Sequence, residues 1–166
     1  MERIWAPWRM GYINGDKPED CVFCIPEGRE NDPDRLILHR SASSFIIMNL
    51  YPYTNGHLMV IPFKHTSTLD DLDDLELLDF MKTLRLARRG LEKVFSPQGF
   101  NIGMNIGLAA GAGVAEHLHF HIVPRWNGDT NYMTVMADTR IIPEALTATY
   151  ARLAPVFIAL CDGEPK

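Results

Sequence analysis

The sequence predicts an α+β domain built on a mostly antiparallel, five-stranded sheet with two main helices. Three observations carry that expectation. Short runs of β-branched and apolar residues, bounded by turn residues, occur before residue 64 and again after residue 100. One long segment between them, 70–95, repeats apolar residues at near three-and-four spacing. The resulting order β, β, β, α, β, β, α groups the strands together rather than alternating them with helices.

The elements follow in order. Residues 1–20 are rich in Trp, Pro and Gly and read as an irregular arm, and Cys21 and Cys24 come next in CVFC. A polar loop, PEGRENDPDR, leads to strands at 36–40 (LILHR) and 44–50 (SFIIMNL). YPYTNG (51–56) has the Pro and Asn-Gly of a turn, and HLMVIPF (57–63) returns as a third strand. Leu77, Phe80, Met81, Leu84, Leu91 and Val94 mark the inner stripe of the long helix. Its acidic first turns and basic last turns suit the helix dipole, and those charges read otherwise as a solvated face. NIGMNIG (101–107) and LHFHIVP (118–124) read as strands four and five, joined by the glycine-rich turn GLAAGAG. PEALTATYARLA (143–154) starts with Pro at a helical N1 position, and Pro155 is expected to bend or end that helix. Cys161 has no visible partner and reads as a buried or idle thiol.

A chain of 166 residues makes about one domain, with the arm at 1–20, a core at 21–126 and a C-terminal extension with its helix at 127–166. Net charge is −5 at pH 7, which argues against an electrostatic grip on nucleic acid but leaves small anionic ligands open. Neither a secretory leader nor an apolar run of membrane-spanning length is visible, so a cytoplasmic protein is expected. Three cysteines, an odd number, fit a reducing compartment.

Half of the chain's six histidines lie in EHLHFHIVPRW, at 117, 119 and 121. Side chains alternate faces along a strand, so the three imidazoles share one face, about 6.5–7 Å apart, while Leu118, Phe120 and Ile122 share the other. Beside a glycine-rich turn with open backbone N–H groups, that face suits a phosphate. A neutral imidazole can attack phosphorus, and its neighbours can orient it or handle protons. The same spacing also serves a metal site, or a polar surface with no role. Cys21 and Cys24 on their own read as a redox pair, a metal knuckle or a chance spacing.

His117-Leu118-His119-Phe120-His121-Ile122-Val123 resembles the His-x-His-x-His-x-x pattern of the histidine triad family of nucleotide hydrolases and transferases. NLYPYTNGHLMVIPFKH (49–65) is similar to that family's ribose-binding strand pair, and the likeness covers roughly residues 20–126. WAPWRMGYI (5–13) and AEHLHFHIVPRWNGDTNYM (115–133) resemble the diadenosine tetraphosphate phosphorylase branch. The resemblance implies a homodimer with a continuous ten-stranded sheet and a nucleotide site in each subunit. It implies that His119 attacks the α-phosphorus to form a nucleotidyl-histidine, that His121 donates to the α-phosphate, and that His117 supports them.

The backbone of the turn at Gly111, Gly113 and Val114 would add donors. Asn49 would bind ribose, Asn105 would lie in the strand opposite the triad, and His57 would stand behind the triad strand. Phe45, Ile47 and Leu50 would line the base pocket. Trp126 would border the site or pack a dimer interface, and Asp129 or Asn131 would reach distal phosphate. Trp5, Trp8 and Arg9 would pack the dimer. The resemblance also implies a structural zinc on Cys21, Cys24, His65 and His117, with no organic cofactor. Many relatives carry Gln or Ser where this chain has Gly113 and Val114, which removes one side-chain aid to the leaving group. An alternative is a nucleotide-binding sensor or scaffold with little turnover; a three-histidine metal enzyme is a further one.

Overall fold

The computed structural model describes residues 21–129 and 144–162. The N-terminal arm with Trp5, Trp8 and Arg9, the segment with Asn131, and Pro143 lie outside these residues. Five strands form one sheet: β1 (Ile37–Arg40), β2 (Ser44–Met48), β3 (Leu58–Pro62), β4 (Gly99–Gly103) and β5 (Phe120–Arg125). Their spatial order is β1-β2-β3-β5-β4, and every pairing is antiparallel. The helices α1 (Asp74–Phe95) and α2 (Leu146–Asp162) complete the described elements, with short 3-10 turns at Leu69–Asp71 and Leu108–Ala110.

α1 begins later than the periodicity predicts because Asp73 closes a capping box. Its carboxylate accepts from the backbone of Leu75 and Glu76, and Glu76 accepts in return from the Asp73 backbone. The helix buries Phe80, Thr83, Leu84, Ala87, Gly90 and Leu91. Met81, expected inside, is 52% exposed, because the buried stripe turns through Thr83 and Ala87 instead. Asp79 moors the helix to the β1–β2 hairpin: one carboxylate oxygen accepts from the hydroxyls of Ser41, Ser43 and Ser44 and from the Ser43 backbone.

Pro155 does not end α2, which runs on to Asp162. Interior proline costs about 3 kcal/mol, but Phe157 and Leu160 beyond it are buried, and each large apolar side chain returns roughly 1.5–3 kcal/mol. Phe157 rests directly on Gly90; a Cβ there would lie 2.5 Å from its ring.

Pairing sets the strand limits. β4 stops at Gly103 rather than 107, because its ladder with β5 runs from Gly99↔Arg125 to Gly103↔His121. Asn105 therefore stands outside the strand. β5 starts at Phe120, two residues late, because the Leu118 N–H turns to the Thr66 carbonyl (2.7 Å) beyond β3.

The sheet has two apolar faces. Ile46, Met48, Leu58, Val60, Leu118 and Ile122 pack under the helices. Ile37, Phe45, Met59 and Ile61 gather on the other side with Phe23. Register draws one row across that second face: Ile37, Ile47, Met59, His121 and Gly103. The triad thus sits away from the helices, at the end of an apolar strip.

Candidate active site

The three histidines differ in their hydrogen bonds. A carbonyl oxygen only accepts, so each imidazole nitrogen that faces one must carry the proton. His119 is 4% exposed, and its Nδ1 donates to the backbone carbonyl of His117 at 2.8 Å. In the neutral ring that leaves the lone pair on Nε2. His117 is 1% exposed and donates from Nε2 to the Pro62 carbonyl at 2.9 Å. Its lone pair is therefore on Nδ1, which faces Cys21 Sγ at 3.3 Å and Cys24 Sγ at 3.9 Å.

His121 is set by a two-step relay. The Tyr53 backbone N–H donates to His57 Nδ1 (3.1 Å), so neutral His57 carries its proton on Nε2. That nitrogen lies 3.0 Å from His121 Nδ1 and donates to it. Neutral His121 is left with an N–H at Nε2, a donor that needs no net charge. Burial pushes the His121 pKa down to about 4, helped by the charge of His119. Burial pushes His57 to about 3, with His121 and His119 adding to the effect. Both are neutral at pH 7. The His119 and His121 rings meet edge to face with centroids 4.9 Å apart. A nucleophilic nitrogen and a neutral donor stand side by side, which suits attack on a phosphorus whose oxygens gain charge.

The remaining predicted residues fall around this pair unevenly. Asn49 follows β2; its backbone N–H reaches the His57 carbonyl, and its Oδ1 accepts from the Tyr51 N–H at 2.8 Å. One acceptor site of the carboxamide is thus spent on the turn. Val114 is partly buried and packs against the cluster on the second face of the sheet. Gly111 is left-handed at φ 85°, and Gly113 is exposed. Asn105 spans this turn, with Nδ2 3.4 Å from the Gly111 carbonyl. Ile47 is half-buried in the apolar row, Leu50 is 56% exposed, and Phe45 is fully covered, stacked on Phe63 at 5.4 Å. Phe45 is therefore the floor of the strip and not its surface.

Trp126 follows β5 directly. Five residues of extended chain, ~16 Å, separate it from His121, and its indole N–H donates to the Phe95 carbonyl at the end of α1. Asp129 is held by Arg125 at 2.6 and 2.8 Å, which closes the turn after β5. Cys161 is exposed rather than buried, with Sγ 3.3 Å from His39 Nδ1.

Sequence reading missed Phe23, Met59 and Tyr53. Met59 is His121's partner across the ladder, a neighbour that only register reveals. The Tyr53 ring lies 4.6 Å from His57 and 5.9 Å from His121. Phe23 touches the His119 ring at 5.1 Å; its place between two cysteines was the available signal.

Cys21, Cys24, His65 and His117 form a separate cluster whose ligand atoms all lie within 4.8 Å of one another. Cys24 Sγ is 3.2 Å from His65 Nδ1. Tetrahedral zinc bonds of about 2.0–2.3 Å place donors some 3.3–3.8 Å apart. The four residues fit such an ion in donor type and spacing, and the Pro62 bond to His117 leaves the correct nitrogen available.

A family model described as HIT domain matches residues 29–128. A protein of Mycobacterium tuberculosis named AP-4-A phosphorylase is 38% identical over 164 residues, covering 93% of this chain and 83% of that relative. A Schizosaccharomyces pombe protein named asymmetrical bis(5'-nucleosyl)-tetraphosphatase is 39% identical over 93 residues, 56% of this chain and 50% of that one. Among solved structures, a zinc-bound histidine triad family protein from Mycobacterium smegmatis superposes with a TM-score of 0.67 at 26% identity, covering 87% of this chain and 98% of the other.

Proposed function

Because the chain belongs to the HIT domain family, we propose that it is an enzyme that cleaves dinucleoside polyphosphates through a nucleotidyl-histidine intermediate. The observation that carries this reading is the hydrogen bond from His119 Nδ1 to the His117 carbonyl, which leaves Nε2 unprotonated beside a neutral donor on His121. His119 Nε2 attacks the α-phosphorus, an N–P bond forms, and the bond to the leaving polyphosphate oxygen breaks. His121 Nε2–H donates to a phosphoryl oxygen as charge builds there. Water or phosphate then attacks the same phosphorus and frees His119. Asn49 binds the ribose, Ile47 and Leu50 flank the base over the floor made by Phe45, and the backbone at Gly111, Gly113 and Val114 with Asn105 serves the phosphates. The names of the M. tuberculosis and S. pombe relatives support the substrate class.

Cys21, Cys24, His65 and His117 would hold zinc as a closed structural site, a reading supported by their spacing and by the zinc-bound M. smegmatis relative. The exposed edge strand β4 supports a homodimer with a ten-stranded sheet. Among the described residues no helix is long and apolar enough to cross a membrane. We place the whole chain in one domain, acting on small nucleotides in the cytoplasm without nucleic-acid or membrane partners.

The test is incubation with diadenosine tetraphosphate, with and without inorganic phosphate, and separation of the products. Phosphate-dependent ADP and ATP define a phosphorylase. AMP and ATP without phosphate define a hydrolase. Intact substrate with retained AMP binding would refute the enzymatic reading and leave a nucleotide-binding module.

A further inference from the structure

The hydrogen bond from His57 Nε2 to His121 Nδ1 joins two neutral imidazoles and sets the His121 donor. Water competes for such a bond, so its strength depends on cover. His57 is 1% exposed, whereas His121 is only half-buried. One side of the pair carries the Tyr53 ring. Its centroid lies 4.6 Å from that of His57 at a tilt of 35°, and 5.9 Å from that of His121 at 36°. The two imidazoles are 5.1 Å apart. All three spacings fall within the roughly 4.5–7 Å at which rings attract one another. Tyr53 therefore touches this relay twice: its ring packs on both imidazoles, and its backbone N–H donates to His57 Nδ1.

The β2–β3 loop fixes that ring from both ends. Before it, Asn49 Oδ1 accepts from the Tyr51 N–H at 2.8 Å. After it, the Thr54 hydroxyl donates to the Pro124 carbonyl of β5 at 3.1 Å. Asn55 bonds Thr149 of α2 and Glu144 just ahead of that helix. Gly56 is left-handed at φ 74°, and a Cβ there would lie 3.1 Å from the Phe95 ring, so the loop lies close on α1. Tyr53 itself is 41% exposed, so its place is set by these anchors rather than by burial.

The relay has a competing arrangement. A neutral imidazole carries its single N–H on either nitrogen. With the His57 ring tilted away, His121 can hold its proton on Nδ1 and turn the lone pair of Nε2 toward a phosphoryl oxygen. That lone pair repels the charge that the N–H would stabilise.

We propose that Tyr53 is a positioning residue: its ring clamps the His57–His121 pair and keeps the proton of His121 on Nε2. The kinetic consequence rests on the enzymatic reading above, whereas the proton position is a property of the free protein. The His121 donor matters most as charge builds in the transition state. Loss of the clamp should therefore act on kcat and leave KM nearly unchanged.

The experiment uses the full chain with nitrogen-15 in its histidine rings. The ring-nitrogen NMR shifts at pH 7 report which nitrogen of His121 is protonated, with the signals assigned by their loss in His121→Ala. Turnover of diadenosine tetraphosphate is measured on the same samples. Wild type and Tyr53→Phe should both show His121 protonated at Nε2. Tyr53→Ala should show a mixture of the two tautomers and a kcat lower by about tenfold, short of the about 10²–10³ expected for losing the donor outright. Tyr53→Leu, which covers the pair without a flat face, should lie between them. A Tyr53→Ala protein with His121 still protonated at Nε2 alone would overturn the proposal. So would a Tyr53→Phe protein that behaves like Tyr53→Ala, since the hydroxyl and not the ring would then do the holding. A rise in KM with kcat unchanged would make Tyr53 a substrate contact and also overturn it. If the wild type leaves the substrate intact, the enzymatic reading falls, and the tautomer of His121 in Tyr53→Ala still decides whether the clamp exists.

Discussion

His57 is a buried imidazole that the native state keeps neutral, and its replacement should change how the protein responds to acid. Its pKa is held at about 3, by burial first and then by the charges of His121 and His119, against an ordinary value of 6.5. A depressed imidazole means that the unfolded chain binds the proton more readily. Stability from this group is therefore complete above pH 6.5 and is lost as pH falls toward 3. Each pH unit in that window is worth ~1.4 kcal/mol, so the loss from pH 7 to pH 4.5 is about 2–3 kcal/mol. His57→Gln keeps an amide that can meet the Tyr53 N–H and His121 but does not titrate. Urea unfolding of both proteins at pH 7 and pH 4.5, with equal metal loading, gives the difference of differences. The variant should lose about 2–3 kcal/mol less than the wild type across that interval. Parallel losses would refute the claim that His57 is neutral in the fold, and with it the relay that sets the His121 donor.

Four further outcomes follow from the geometry. His121→Ala removes one oriented donor and should lower kcat by about 10²–10³ with little change in the unfolding midpoint at pH 7, whereas His119→Ala should abolish the nucleotidyl-enzyme adduct seen by mass spectrometry. Gly90→Ala places a methyl 2.5 Å from the Phe157 ring and should cost about 1–3 kcal/mol in chemical denaturation, with partial rescue by Phe157→Leu. Asp79→Ala strips one acceptor from three serine hydroxyls and a backbone N–H and should lower stability by about 1–3 kcal/mol while leaving kcat intact.

Element order and strand pairing sense were legible because local periodicity carries them; the limits were not, because partners set them. NIGMNIG alternates well past Gly103, yet β4 ends where His121 ceases to offer a partner. Pro155 reads locally as a stop, and only the burial of Phe157 on Gly90 overrides it. The triad and the Cys-His cluster were visible as motifs, and the structure brings each set together. The hydrogen bonds that assign protons within them involve Pro62 and Tyr53 backbone atoms, which no side-chain pattern announces. Trp126 was read from the family likeness and from its size, and the carbonyl that its indole N–H reaches at the end of α1 is a backbone atom that neither announces.

The apolar row that runs Ile37, Ile47, Met59, His121 finishes on Gly103, and a side chain added there would meet nothing within 4 Å among the described residues. Within one chain this is an open position across the ladder from the His121 donor. Strand register aims any newcomer at the face His121 already occupies, and no buried atom has to move to admit it. The space beside that donor can therefore be altered from β4, one residue at a time, without touching the side chains that hold the fold together.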